Sequence, residues 1–148
     1  MHAQTVLALL LLVLAPQAYA KTCKLAIEAD DQMRYNVGEL KLATACTQVK
    51  LTLKNTGKLA ANVMGHNWVL TRTADFDPVT QAGMAAGLAN NFVNAADARV
   101  IAHTKVIGGG ETASVTFSVA KLKKGGDYTF FCSFPGHWTM MKGKLVVG

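Results

Sequence analysis

The chain has 148 residues, with 15 Lys and Arg against nine Asp and Glu, a formal charge of +6 and 51% apolar side chains. That length fits one domain around one core and leaves little room for a second. The basic residues are scattered, with no dense run and no interleaved aromatics, which argues against a nucleic-acid interface and for a charge that aids solubility or favours an acidic partner.

The first twenty residues carry no charged side chain, and an apolar run from Val6 to Ala15 precedes the small-residue pattern Ala18-Tyr19-Ala20. This reads as a secretory signal peptide over 1–20, although its start lacks the usual Lys or Arg. The run is shorter than the roughly 20 apolar residues that a spanning helix needs, and no later run supplies them, so no membrane anchor is expected. Cleavage after Ala20 leaves one domain over 21–148 that keeps every charged residue.

Beyond that point the chain alternates apolar and polar residues in short runs, as in Val49-Lys50-Leu51-Thr52-Leu53 and Ala113-Ser114-Val115-Thr116-Phe117-Ser118-Val119. Such alternation marks half-buried strands. Turn residues at Asn55-Thr56-Gly57, Gly108-Gly109-Gly110 and Gly125-Gly126-Asp127 separate them, and Val100 to Ile107, Tyr128 to Phe131 and Lys144 to Val147 add further strands. About seven or eight strands predict an all-β sandwich. The exception is an Ala-, Met- and Leu-rich stretch near 77–91 with Pro78 close to its start, which predicts a short helical insertion weakened by Gly83 and Gly87.

The chemistry concentrates in Cys132-Ser133-Phe134-Pro135-Gly136-His137-Trp138-Thr139-Met140-Met141, which sets a thiolate, an imidazole and a thioether on one loop after a strand. Upstream, Met64-Gly65-His66-Asn67-Trp68 offers a second imidazole, and a sandwich can bring the two loops together at one end. Soft sulfur with imidazole nitrogen excludes calcium and magnesium and leaves copper or zinc. Structural zinc prefers four strong ligands, whereas one thiolate, two imidazoles and a weak thioether suit a mononuclear blue-copper centre. Copper(II) and copper(I) favour different geometries, so a rigid compromise site moves little on electron transfer, and Pro135 with its fixed backbone angle adds rigidity. Three cysteines in an exported chain allow three pairings, and a free thiolate at Cys132 leaves Cys23 with Cys46.

Three segments make a resemblance specific. Met64-Gly65-His66-Asn67-Trp68-Val69-Leu70, Val100-Ile101-Ala102-His103-Thr104-Lys105 and Phe130-Phe131-Cys132-Ser133-Phe134-Pro135-Gly136-His137 are similar to the azurins, blue copper proteins of the cupredoxin family. Four residues between Cys132 and His137, and three before Met141, match the azurin loop rather than the shorter one of plastocyanins. The resemblance spans nearly all of 21–148 and implies a cupredoxin-like Greek-key sandwich. It implies one copper ion per chain cycling between Cu(II) and Cu(I), with His66, Cys132 and His137 as equatorial ligands, Met141 as axial ligand and the Gly65 carbonyl as a distant axial contact. Asn67 is then expected to tie the two ligand loops, and the Phe134 amide to bond the Cys132 sulfur and help set the potential. Function follows as a periplasmic one-electron carrier, with Met33, Leu59, Val63, Met64, Phe134 and Pro135 forming an apolar docking patch around His137. The implied partners are transient redox proteins such as a c-type cytochrome, a dehydrogenase or a copper nitrite reductase, and a monomer is expected. Two positions depart from the family: Asn55 stands where a buried, pH-responsive His is common, and Trp138 replaces a smaller residue and is expected to enlarge the docking surface.

Taken singly, Cys132 could be a buried small hydrophobe, Met141 a core filler, Trp68 a core anchor and each His a satisfied polar group. A copper enzyme would need an open metal position or a second cluster, and only His103, expected to be a surface or half-buried residue, remains after His66 and His137 are committed. A copper storage protein and a thiol hydrolase using Cys132 with His137 are further alternatives; the latter lacks an evident orienting residue and oxyanion site.

Overall fold

A computed structural model describes residues 20–148, so the signal-peptide segment 1–20 lies, apart from Ala20, outside the described residues. Among the described residues, nine strands form two sheets: β1 (Thr22–Asp30), β2 (Arg34–Tyr35), β3 (Glu39–Leu42), β4 (Gln48–Asn55), β5 (Val69–Arg72), β6 (Ala102–His103), β7 (Thr112–Ser118), β8 (Tyr128–Phe131) and β9 (Lys142–Val147). One sheet runs β2-β1-β4-β7 and the other β3-β9-β8-β5-β6. The pairs β1/β4 and β3/β9 are parallel, and the remaining pairs are antiparallel. Among the described residues no helix is long and apolar enough to cross a membrane.

The sandwich follows from the alternation. On β4, Val49, Leu51 and Leu53 are fully buried while Lys50 and Lys54 face solvent. Their partners across the ladder, Phe117, Val115 and Ala113 of β7, continue the same inner face. That face meets Leu70, Phe130 and Leu145 of the other sheet, and Trp68 just before β5, in one core cluster. Trp68 is a core anchor, as expected: it is fully buried and close to both Phe130 and Phe117. β8 breaks the alternation because all four of its residues are buried. Its second face is covered by helix α2 (Phe76–Ala86), where Phe131 and Val69 join Val79, Val93 and the half-buried Phe76 and Trp138. A strand covered on both faces loses its polar alternation.

The expected insertion near 77–91 is therefore α2, with short 3-10 turns at Thr73–Asp75 before it and Leu88–Asn90 after it. Pro78 sits in the first turn, where a missing N–H costs nothing. Gly83 is required rather than merely tolerated, because a Cβ there would run into the Phe92 carbonyl. Trp138, half-buried, packs part of its side chain against this helical layer.

The expected strand from Val100 to Ile107 is reduced to Ala102–His103 and an isolated bridge between Ile107 and His66. Side chains take over the intervening backbone bonds: the Val106 amide donates to Asn91 Oδ1, and Thr104 Oγ1 accepts from the Trp68 amide. Helix α1 (Ala61–Met64), a single turn before His66, carried no sequence signal. Cys23 and Cys46 form a disulfide with their Cα atoms 5.7 Å apart, which leaves Cys132 free and buried.

Candidate metal centre

His66 lies on the extended segment between α1 and β5, where its backbone makes a reciprocal pair of hydrogen bonds with Ile107 at 3.0 and 2.9 Å. Its ring nitrogen Nε2 lies 2.8 Å from the Asp30 carbonyl at the end of β1. A carbonyl oxygen only accepts, so Nε2 carries the hydrogen and Nδ1 presents a lone pair to the interior. Immediately before it, Gly65 is buried against the Ala61 carbonyl and the Val106 side chain, leaving no room for a Cβ.

The second loop begins where β8 ends. The Cys132 amide donates to the Met141 carbonyl at 3.0 Å, and the Met141 amide donates to the His137 carbonyl at 2.7 Å, so the loop closes on itself. Gly136 makes the turn before His137 with φ of 80°, a left-handed conformation that favours glycine. Met141 is fully buried in the main core. The His137 ring, 4% exposed, packs 4.7 Å from the Phe134 ring.

Three buried donor atoms from the two loops converge. Cys132 Sγ lies 3.9 Å from His66 Nδ1 and 3.7 Å from His137 Nδ1, and the two imidazole nitrogens are 3.2 Å apart. Donors held about 2.0–2.3 Å from one ion at trigonal angles stand roughly 3.5–3.8 Å from one another. The residues present therefore fit one small soft cation.

Burial pushes the Cys132 thiol up to about 12, against the pull of the Asn67 and Phe134 amides that bond its sulfur. Burial, with the neighbouring His66 adding to it, draws His137 down to about 4. His66 is also lowered by burial, an effect that the Asp30 carbonyl and the Asp31 and Asp30 charges oppose. At neutral pH the centre thus holds one thiol and two uncharged imidazoles.

Asn67 spans the loops. Its Oδ1 accepts from the Ser133 amide at 2.8 Å, and its Nδ2 donates to Ser133 Oγ at 2.7 Å and to the Asn91 carbonyl at 2.9 Å. Asn91 and Tyr35 were not anticipated. Asn91, at φ of 58°, also fixes Val106, while the Tyr35 hydroxyl donates to the Asn67 carbonyl. Neither carries a sequence signal, since each acts through contacts made only in the fold. Outside the centre, His103 is half-buried with Nδ1 near the Thr104 carbonyl, in the position expected of a non-ligand.

Of the apolar patch residues, Leu59 and Val63 are 42% and 59% exposed. Pro135 is also exposed, whereas Met33, Met64 and Phe134 are half-buried.

A two-sheet sandwich with one buried thiol and two imidazoles gathered from separate loops at one end defines the cupredoxin class. Residues 21–148 match the family of copper binding proteins described as the plastocyanin/azurin family, and the chain belongs to that family. It is similar to the azurin of Bordetella pertussis, 56% identical over 126 residues that cover 85% of this chain and 84% of that protein. The azurin of Achromobacter denitrificans is 52% identical over 145 residues, 98% of this chain and 97% of its own. Among solved structures, the azurin Az-iso2 from Methylomonas sp. strain J superposes with a TM-score of 0.82 at 41% identity, covering 85% of this chain and 98% of its own.

Proposed function

We propose that this chain is a periplasmic one-electron carrier in which His66, Cys132 and His137 would hold a single copper ion, with Met141 and the Gly65 carbonyl as additional weak donors. The observation that carries this reading is the convergence of three buried donors within 3.9 Å, beside an exposed apolar rim. The bound ion would supply the Cu(II)/Cu(I) couple. The chain's own residues hold the geometry: the Asp30 carbonyl orients His66, Asn67 ties its loop to Ser133, and the Asn67 and Phe134 amides favour charge on sulfur. Water is kept out by burial, so little rearranges when charge changes.

The chain is an electron carrier and not an enzyme. A thiol hydrolase needs a sulfur that ionises easily, and Cys132 is shifted the opposite way while fully buried. Leu59, Val63 and Pro135, with Met33, Met64 and Phe134 behind them, form the docking patch for transient redox partners such as a c-type cytochrome, a dehydrogenase or a copper nitrite reductase. A small apolar contact suits brief docking by a monomer. Export by a signal peptide over 1–20 and a single mature domain over 21–148 complete this reading.

The test is spectroscopic. Copper(II) added to the metal-free protein should give an intense visible thiolate-to-copper band, and Cys132→Ser should abolish it. Met141→Leu should retain the band and shift the reduction potential. A colourless copper complex with a freely reactive Cys132 thiol would overturn the proposal.

A further inference from the structure

The end of the sandwich remote from the copper loops carries a second feature. β5 runs from beside His66 to Arg72, so its far end lies roughly 20 Å from the metal centre at the rise of an extended chain. There a cleft of about 390 Å³ is lined by Arg72, Asp75, Arg99, Lys121 and Lys123 among apolar residues.

Both guanidiniums are held in place. Arg72 Nε donates to Asp75 Oδ2 at 2.7 Å, and Arg99 donates through Nε and Nη2 to Asp97, with the closest contact at 2.7 Å. The two carboxylates are largely covered, at 14% and 10% exposure. Among the described residues, no protein acceptor takes the Nη groups of Arg72 or Nη1 of Arg99. The Arg99 carbonyl is pinned to β5 by Thr71 Oγ1, and the Lys123 amide is pinned by the Tyr128 hydroxyl. Lys121 and Lys123 make no ion pair with any described carboxylate. Four cations therefore face two carboxylates, and the surplus sits around preorganised N–H forks.

The geometry points to a binding site for a phosphate-bearing anion in this cleft. Guanidinium forks match the paired oxygens of phosphate, and flanking ammonium groups add charge without demanding geometry. A positive surplus in a concave site favours a dianion over a monocarboxylate. Because the cleft lies at the pole away from His137, an anion held there leaves the exchange surface open.

The test uses copper-loaded protein at low ionic strength. Inorganic pyrophosphate titrated into it should produce saturable shifts in the backbone amide resonances of Arg72, Arg99, Lys121 and Lys123. The double variant K121E/K123E should weaken this binding at least about tenfold. The variant K24E/K50E makes the same change in net charge on the other sheet, where the two lysines pair across β1 and β4, and should weaken it less than about twofold. Retention of the blue band reads folding in both. A parallel sedimentation with phosphatidylglycerol vesicles separates the sources. Vesicle binding lost in K121E/K123E assigns a lipid headgroup, and pyrophosphate binding alone assigns a soluble phosphate. Binding of neither probe, or equal loss in the two variants, overturns the site while leaving the copper assignment untouched.

Discussion

The carboxamide of Asn67 reaches across the end of the sandwich to hold Ser133 by both of its ends, accepting from the amide and donating to the hydroxyl. Two loops separated by more than sixty positions in sequence thereby become one rigid wall. Asn67→Ala would leave the buried Ser133 amide unpaired and remove the bond to the Asn91 carbonyl. The expected loss is about 2–4 kcal/mol of unfolding free energy, read from denaturant curves of the metal-free protein. A change below about 0.5 kcal/mol would show that water or repacking replaces the link.

Copper binding should displace a proton. At pH 7 both imidazoles are neutral, while the thiol, pushed up to about 12, still holds its hydrogen. A thiolate ligand requires that hydrogen to leave, so about one proton should be released per copper(II) bound. Titration calorimetry in two buffers of different ionisation enthalpy measures the number. Zero protons would mean that the thiol is already ionised or is not a ligand.

The same shifts set the stability of the metal-free protein against pH. The unfolded chain takes protons on its imidazoles near 6.5, whereas folded His137 resists until about 4. Acid therefore favours unfolding, and stability should fall as pH drops from about 6.5 toward 4. Cys132 acts with the opposite sign: the unfolded thiol ionises near 9.0 and the folded one near 12, so stability present below 9 should be lost as pH rises through that window. Thermal midpoints across pH 4 to 11 should trace a dome, and copper loading should flatten it.

Docking can be tested by two copies exchanging an electron. Val63 is 59% exposed on the apolar rim. Val63→Glu should slow electron self-exchange roughly tenfold by burying like charges face to face, with partial recovery in salt. The reduction potential should hold. An unchanged exchange rate would move the docking surface elsewhere.

Asn55 is fully buried, with Nδ2 donating to the Ile107 carbonyl and Oδ1 accepting from Gly57. An amide does not titrate, so no proton at this position can follow the electron. The potential should vary between pH 5 and 8 by well under the ~59 mV per unit of a fully linked proton. A large sigmoidal shift in a redox titration would contradict this.

Much of this architecture was legible beforehand because it is periodic or chemical. Val49, Leu51 and Leu53 declare an inward strand face by alternation alone, and the soft donor set at Cys132, His137, Met141 and His66 declares a soft metal by ligand type. Features that depend on what covers a segment were not legible. The full burial of β8 and the partial packing of Trp138 require α2 to lie over that sheet. The shortening of the strand after Val100 depends on Asn91, an exposed-looking polar residue whose side chain takes a backbone bond that a neighbouring strand would otherwise have filled.

The order of residues alone determined which atoms are available: one thiol left over from a disulfide, two imidazoles in distinct loops, and alternating faces that must bury against each other. Tertiary structure alone decided where those atoms meet and in what state. Only packing brings Nδ1 of His66 within 3.9 Å of Cys132 Sγ, and the desolvation created by that packing widens the pH range over which the thiol stays protonated and the imidazoles neutral.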